Sequence, residues 1–435
     1  MSESEIGIGL LGCGTVGTGV LDILQRNAGA ITGHAGVPLR VRKVLVRDKS
    51  KPRRVALNQD ILTTSFQDIL NDNSIQVVVE VMGGLEPAGP YILEAFRRGK
   101  HVVTANKELL AKRGPEIFKS SREHGVILRF EGSVAGGIPI IKPLEECLAA
   151  NRIQEIMGII NGTTNYILAK MTSEGRQFGE VLREAQEKGF AEADPSDDIE
   201  GRDAAYKLSI LASIAFGTEV SPDNVYTEGI TKITPLDIEY ARELGFVIKL
   251  LAIGKEVDGA IEARVHPTFV PSRHPLASVD DAFNAIFVRG NAVGDLMFYG
   301  RGAGDLPTGS AVVADVIDVA RSILSGVPAG ATGPGFVPWN GGRRISDIES
   351  VSTRYYIHLK VIDRPGVLAS IARAFGDHDV SLESVIQKGR GQNPVGLVFV
   401  THKVLERNAR AALEVIKDLP VVMDVSNVIR VEGEA

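Results

Sequence analysis

The stretch I-G-I-G-L-L-G-C-G-T-V-G, Ile6 to Gly17, decides the fold of the first part of the chain. Ile6 to Leu11 is a short apolar run of the kind buried in a parallel sheet. It leads directly into Gly12-Cys13-Gly14-Thr15-Val16-Gly17, and Val20, Leu21 and Leu24 then recur at helical spacing through Thr18 to Arg26. Strand, glycine turn and helix in this order are the context that gives a G-x-G-x-x-G its meaning as a dinucleotide site. Gly12 permits the tight turn, Gly14 lets the backbone approach a pyrophosphate, and Gly17 lets the helix close on the strand. Thr15 and Val16 lie where the helix N-terminus would face the phosphates with its partial positive charge.

The strands that follow extend this reading. Val41 to Val46 is a second strand, and it ends at Arg47-Asp48, with Lys49, Lys51, Arg53 and Arg54 beyond. An NAD enzyme places an acid here for the ribose 2′-OH, whereas a basic group here suits the 2′-phosphate of NADP. Arg47 therefore favours NADP, and Asp48 keeps NAD open. The same residues also read as a solvated basic loop. Ile75 to Val81 is a further buried strand, closed by Met82-Gly83-Gly84. A helix over Pro90 to Arg98 and a strand over His101 to Thr104 lead to Thr104-Ala105-Asn106-Lys107. Lys107 thus stands at the carboxyl end of a strand, where ligands bind in open sheets; by position alone it is also an ordinary surface lysine.

Bulk properties set the frame. The 435 residues suggest about three domains. The 44% hydrophobic and 23% charged content is that of an ordinary soluble globular chain. Abundant glycine (47 residues) with few aromatics favours α/β architecture. A net charge of −6 argues against nucleic acid. The two cysteines, Cys13 and Cys147, make neither a disulfide framework nor a zinc cluster, which points to a reducing cytoplasm. No apolar run approaches the ~18 residues that span a bilayer. Leu10-Leu11-Gly12-Cys13 imitates a lipoprotein cleavage box, but Glu3 and Glu5 precede it where a signal peptide carries Lys or Arg.

The chemically densest segment is Gly189 to Lys207, G-F-A-E-A-D-P-S-D-D-I-E-G-R-D-A-A-Y-K. Asp203 and Lys207 are four residues apart and share a helix face. Ile210, Leu211 and Ile214 continue that face, so Lys207 heads a buried stripe. Desolvation favours the neutral amine, which brings proton transfer near neutral pH within reach, and a carboxylate one turn back would position it. The plain alternative is an acidic loop followed by a snorkelling lysine.

From Asn151 to Val293 strands and helices alternate: Glu155 to Ile160, Arg202 to Phe216, Asp237 to Gly245, Lys249 to Glu256, Ala260 to Pro267. A long helix begins at Thr308 and returns the chain to the nucleotide domain. Ala329 to Asn340 is a Gly/Pro-rich linker. Beyond it Arg354 to Val361, Val380 to Gln387, Val395 to Thr401 and Val421 to Val431 read as strands, with helices over Val367 to Phe375 and Arg407 to Asp418. That β-α-β-β-α-β order is ferredoxin-like. The expected class is α/β: an N-terminal Rossmann-type dinucleotide-binding domain (1–150, completed by helix 308–328) and an α+β substrate and dimerisation domain (151–307). A linker (329–353) and a C-terminal ferredoxin-like domain (354–435) follow.

Six segments together resemble homoserine dehydrogenase. They are Gly12 to Val20, T-A-N-K (Thr104 to Lys107), E-G-S-V-A-G-G-I-P (Glu131 to Pro139), N-G-T-T-N-Y-I-L (Asn161 to Leu168), Gly189 to Lys207, and G-R-G-A-G-D-L-P-T (Gly300 to Thr308). The resemblance implies that Lys207 is the acid/base, with Lys107 a second active-site lysine near substrate and nicotinamide. It implies Asp203 at the reacting hydroxyl, Glu192 at the substrate ammonium, and Asp198, Asn161 and Thr163 in the substrate pocket. Gly189, Gly302 and Gly304 would touch the cofactor. A monovalent cation, Na⁺, would be held by Glu131 and the carbonyls of Val134, Gly136 and Ile138; without the resemblance that segment is a glycine-rich turn. The sequence D-R-P-G-V-L-A-S-I-A, from Asp363, resembles an ACT domain, a module that pairs with its copy and binds amino acids. This implies an effector site at Asp363, Gly366, Val367 and Leu368, with L-threonine the expected ligand, in a homodimer or homotetramer. The facing strand is not readable, and the Arg390 to Pro394 turn departs from the usual hairpin.

Two other classes compete. A non-catalytic amino-acid sensor with these folds would lack Lys207, Glu192 or Asp203, and all three are present. A 2-hydroxy-acid dehydrogenase needs a catalytic histidine; His266 and His274 fall in no such motif and are expected in proline-flanked loops.

Overall fold

The computed structural model describes residues 5–326, 342–388 and 394–433. The expected linker over 329–340 and residues 390–393 of the hairpin turn lie outside these. The chain divides into two compact units, one of Met1–Ile156, Tyr206–Pro222 and Asn284–Gly342, the other of Met157–Ala205, Asp223–Phe283 and Arg343–Ala435.

The first unit is built on strands β1 (Ile6–Leu11), β2 (Leu39–Leu45), β3 (Leu62–Thr63), β4 (Ile75–Glu80), β5 (His101–Thr104) and β6 (Leu128–Arg129). All pairings are parallel, in the order β3-β2-β1-β4-β5-β6. This is the doubly wound order, which puts its ligand crevice at the carboxyl ends beside β1. β1 is buried at all six positions, as its unbroken apolar run requires. The helix Asp305–Ser325 starts three residues before the sequence suggested and ends at Ser325 with Gly326 in the left-handed conformation. It crosses helix Thr15–Arg26 at two glycines: a Cβ on Gly19 would lie 2.0 Å from the Asp305 carbonyl oxygen. Only hydrogen at that position allows the two backbones to meet. Val312, Val316, Val319 and Ala320 then join Ile8, Leu10 and Val20 in one core.

Further strands are β7 (Ile153–Ile159), β8 (Tyr226–Thr227), β9 (Phe246–Val257), β10 (Ala260–Pro271), β11 (Phe283–Gly290) and β12 (Gly294–Arg301). In the second unit β9 and β10 form a long antiparallel hairpin, Ala260 opposite Val257 through to Pro271 opposite Phe246. His266, expected in a loop, lies inside β10 and is fully buried; the run of apolar neighbours overrides the adjacent Pro267. His274 caps the short helix Pro275–Ser278 by accepting from the Leu276 N–H.

The C-terminal strands are β13 (Ser352–Val361), β14 (Leu382–Lys388), β15 (Val395–Thr401), β16 (Val404–Leu405) and β17 (Val422–Val431). They give an antiparallel β17-β13-β15-β14 sheet, with helices Val367–Gly376 and Glu406–Lys417 on the face carrying Tyr355, Ile357 and Leu359. This is the ferredoxin-like order. β17 also pairs in parallel with β10, Thr268 with Arg430 and Phe269 with Val431. The C-terminal sheet therefore continues the β9–β10 hairpin.

Charge is buried at this junction. Arg430 donates Nε and Nη2 to the two oxygens of Glu406 at 2.8 and 2.6 Å, and the Tyr355 hydroxyl donates to the same carboxylate at 2.6 Å. Arg264, 2% exposed, lies 2.6 Å from Glu432, which also takes Lys255 at 2.6 Å. Burial alone would raise the Glu406 carboxyl, but the hydrogen bonds and charge of Arg430 outweigh it and hold it below the usual range. A carboxyl lowered in the folded state contributes stability above its unfolded pKa, and that contribution is lost as pH falls through the folded value. Glu406→Ala leaves Arg430 buried without its main partner and should cost about 3–5 kcal/mol at neutral pH. Urea unfolding at a series of pH values should show that loss shrinking as the pH drops below about 4; a loss independent of pH would refute the charge argument.

Candidate active site

In the first unit the glycine turn has the geometry a pyrophosphate needs. Gly12 has φ +101°, and a Cβ there would sit 3.0 Å from the Val81 carbonyl oxygen. A Cβ on Gly17 would fall 2.3 Å from the Gly12 carbonyl oxygen, so helix and strand can close only on glycine. Gly14 faces open space. The helix starts at Thr15, earlier than its apolar spacing suggested, and its N-cap Gly14 offers no side-chain acceptor. The N–H groups of the first turn, around Thr15 and Val16, are thus left for an anion. The residues fit a bound dinucleotide.

Arg47 is exposed two residues beyond β2. Arg53 is spent on the loop itself, its guanidinium donating to the carbonyls of Asp48 at 2.5 Å and Lys51 at 2.9 Å. Asp48 accepts from the Ser50 hydroxyl and N–H, which holds its carboxyl low. Lys49, Lys51 and Arg53 line a cleft of about 460 Å³.

At the ends of β4 and β5 the sequence concealed a buried acid. Glu80 is fully buried; it accepts from the Thr104 hydroxyl at 2.6 Å and from the N–H groups of Met82 and Gly83 at 2.8 and 3.2 Å. Burial pushes its carboxyl upward against those hydrogen bonds. The Thr104 oxygen accepts the Asn106 N–H, and the Asn106 amide donates to the Gly84 carbonyl at 2.7 Å. Asn106 also caps helix Lys107–Glu123. The chain of contacts fixes the half-buried Lys107 as that helix's first residue. One acid closing the apolar run I-Q-V-V-V-E was the available signal.

Glu131 is buried and caps the following turn: Oε1 accepts the N–H groups of Ile140 and Ile141, and Oε2 that of Lys142. Two oxygens offer about four acceptor sites, so one remains on Oε2. Val134, Gly136 and Ile138 lie close by in sequence on a loop with positive φ at Ala135 and Gly136. A Cβ on Gly136 would be 2.5 Å from the Gly302 carbonyl oxygen, which packs this loop on the Gly302–Gly304 turn. Backbone carbonyls and a carboxylate oxygen are the donor type that a hard monovalent cation takes. Among the described residues no cluster of three or more His, Cys, Asp or Glu is placed to hold a metal. Gly304 has φ +125° and opens helix Asp305–Ser325.

In the second unit three predicted residues meet. The buried Asn161 amide donates to Asp198 at 2.6 Å and to Asp203 at 2.9 Å, while its oxygen caps helix Gly162–Glu174 at the Thr164 N–H. Thr163 donates to the Phe190 carbonyl at 2.8 Å, tying the helix to the loop that holds Gly189. Gly189 takes φ +75° after helix Phe178–Glu187. Glu192 is exposed on that loop, apart from the Asn161 hydrogen bonds. Helix Arg202–Phe216, whose residues from Tyr206 on count with the first unit, carries Asp203 and Lys207, both buried, one turn apart. At the C-terminal turn Gly366 has φ +90° and opens helix Val367–Gly376; Asp363, Gly366 and Leu368 are exposed and Val367 is buried.

Residues 139–317 match the homoserine dehydrogenase domain, residues 12–131 the NAD-binding domain of homoserine dehydrogenase, and residues 355–421 the ACT domain. The chain is 49% identical over 429 residues to a homoserine dehydrogenase of Synechocystis, covering 98% of this chain and 99% of that one. It is 42% identical to the Bacillus subtilis homoserine dehydrogenase, covering 98% of each. The crystal structure of a homoserine dehydrogenase from Thiobacillus denitrificans superposes with a TM-score of 0.91 at 46% identity, covering 99% of this chain and 98% of that one. A hyperthermophilic archaeal homoserine dehydrogenase in complex with NADPH superposes at 0.62 and 28% identity, over 75% of this chain and 99% of that one.

Glu80→Ala strands a hydroxyl and two N–H groups in the interior and should cost about 2–4 kcal/mol. Glu80→Gln keeps an acceptor and should cost under about 1 kcal/mol. Comparable losses in urea unfolding for both variants would show that the carboxyl is not the hub of this network.

Proposed function

The chain belongs to the homoserine dehydrogenase family, and we propose that it interconverts L-homoserine and L-aspartate 4-semialdehyde in the cytoplasm, with NADP as preferred cofactor and L-threonine as inhibitor. The observation that carries the reading is one polar set: the buried Asn161 bound to Asp198 and to the buried Asp203, with the buried Lys207 one helical turn from Asp203.

A bound nicotinamide would supply the hydride, or accept it in the oxidative direction. Lys207, protonated, delivers its proton to the substrate oxygen as charge develops there, and recovers it from the hydroxyl in reverse. Asp203 holds the reacting hydroxyl, fixed by the Asn161 amide. Asp198 completes the polar pocket, and Glu192 reaches the substrate ammonium from its exposed loop. Lys107 meets the substrate near the nicotinamide. The fixed side chains align the substrate, and that alignment replaces the reorganisation water would otherwise require.

The phosphates belong to the first turn of helix Thr15–Arg26 and the Gly189, Gly302 and Gly304 backbones border the cofactor. The exposed Arg47 beside Lys49 and Lys51, and the archaeal relative's NADPH complex, support a 2′-phosphate contact. A monovalent cation would sit among Glu131 and the carbonyls of Val134, Gly136 and Ile138. The ACT match supports L-threonine at Asp363, Gly366, Val367 and Leu368. Exposed Met297 and Tyr299 on β12 support self-association as a homodimer or homotetramer. Among the described residues no helix is long and apolar enough to cross a membrane.

The test is homoserine-dependent NADP⁺ reduction with and without L-threonine. Absence of turnover with both NADP⁺ and NAD⁺ would refute the reaction, and turnover indifferent to threonine would refute the effector. Lys207→Ala should lower kcat by about 10²–10⁴ with cofactor affinity nearly intact; full activity would remove its acid/base role. Arg47→Ala should weaken NADP by about 1–2 kcal/mol while leaving NAD unchanged. Equal losses for the two nucleotides would exclude the 2′-phosphate contact.

A further inference from the structure

The second unit contains a cleft of about 600 Å³ that the reaction does not use. Its walls are helices Gly162–Glu174 and Pro235–Glu243 together with strands β13 and β17, rather than the Asp363–Leu368 turn. Strand alternation explains its position. Tyr355, Ile357 and Leu359 point to the C-terminal helices. His358 and Lys360 therefore point to the other face of the sheet, where helix Pro235–Glu243 covers part of it.

The lining is cationic and polar over an apolar floor. Arg242 has no side-chain partner among the described residues. Lys360 has only a 3.9 Å approach to Asp424. His358, 3% exposed, lies 3.6 Å from Asp237 and edge-on to Tyr240. Thr234 and Ser426 add hydroxyls; buried Met171 and Ile238 form the floor, and Glu239 is the one carboxylate in the wall. Its surroundings are held rigidly. Asp237 accepts from Thr234, from the Tyr356 hydroxyl at 3.0 Å and from the Asn427 amide at 2.9 Å.

We propose that this cleft is a second small-molecule site, for a metabolite headed by a carboxylate or phosphate, with Arg242 and Lys360 holding the anion. Its volume falls in the range of small-ligand pockets. A planar guanidinium and an ammonium lining one cleft are the chemistry that recognises a small oxyanion, while the Thr234 and Ser426 hydroxyls already donate to Asp237 and Asp424. The site is distinct from the substrate pocket. Met171 lies at the far end of the 13-residue helix whose first turn is capped by Asn161, about 15 Å along its axis.

Isothermal titration of the full chain with L-threonine and, separately, with inorganic phosphate tests the proposal. At least one probe should bind saturably, and the one that binds distinguishes a carboxylate from a phosphate ligand. Arg242→Glu should weaken that binding by at least about tenfold and Arg242→Lys by less than about threefold. Turnover without the probe should be unchanged in both variants. Failure of both probes to bind the wild-type chain overturns the proposal. So does binding that is undiminished in Arg242→Glu, which would place the ligand elsewhere, for example at the Asp363–Leu368 turn.

Discussion

One side-chain amide fixes the acidic side of the site. Asn161 has two donors, and they go to two carboxylates, Asp198 and Asp203, that would otherwise repel across the same small space. Its oxygen is committed as well, to the Thr164 N–H and hydroxyl. Every hydrogen-bonding position of this amide is therefore directed by its neighbours, which sets its orientation and holds both acids in place. Asp203 lies in the first turn of helix Arg202–Phe216, so the same amide ties the start of that helix to the start of helix Gly162–Glu174. An apolar residue at 161 would leave two buried or half-buried carboxylates without their shared donor.

Most of the architecture was legible because the fold follows short-range patterns. β1, β5 and β15 fall on the boundaries that their apolar runs suggest, whereas the two-residue edge strands β3 and β6 are too short to leave a pattern in the sequence. Boundaries slipped where an element starts with polar or small residues. Helix Thr15–Arg26 begins inside the glycine motif, and helix Asp305–Ser325 begins at an acid followed by Leu and Pro. In both places apolar spacing starts one turn after the backbone does. His266 was misplaced for a related reason: the prolines at 267 and 271 read as loop signals, yet they pair along a hairpin whose other positions are buried.

What the sequence could not supply was long-range pairing of charge. Glu80, Glu131 and Glu406 stand in ordinary surroundings along the chain, and each is buried because partners far away in sequence, or a row of N–H groups, satisfy it. The Asn161–Asp198–Asp203 set was reachable only through the family resemblance, since the partners are 37 and 42 residues apart. Glu192 marks the opposite limit. Its role rests on the resemblance, while among the described residues only its backbone carbonyl, accepting from the Gln186 amide, is held, and its side chain is exposed.

The C-terminal sheet is joined to the rest of the second unit by more than a covalent connection. β17 extends β10, Arg430 and Glu432 on or next to that strand are neutralised by partners on both sides of the junction, and Asp237 grips Tyr356 and Asn427. The turn Asp363–Leu368 follows β13 directly, and β13 carries Tyr356 and His358 against helix Pro235–Glu243. A ligand at that turn would act on a strand already packed against helix Pro235–Glu243. Buried ion pairs tolerate small sliding movements but strongly resist separation, because separation would leave each charge alone in the interior. Movement of the C-terminal sheet would therefore take the form of small shear along the shared sheet rather than the swing of a tethered module.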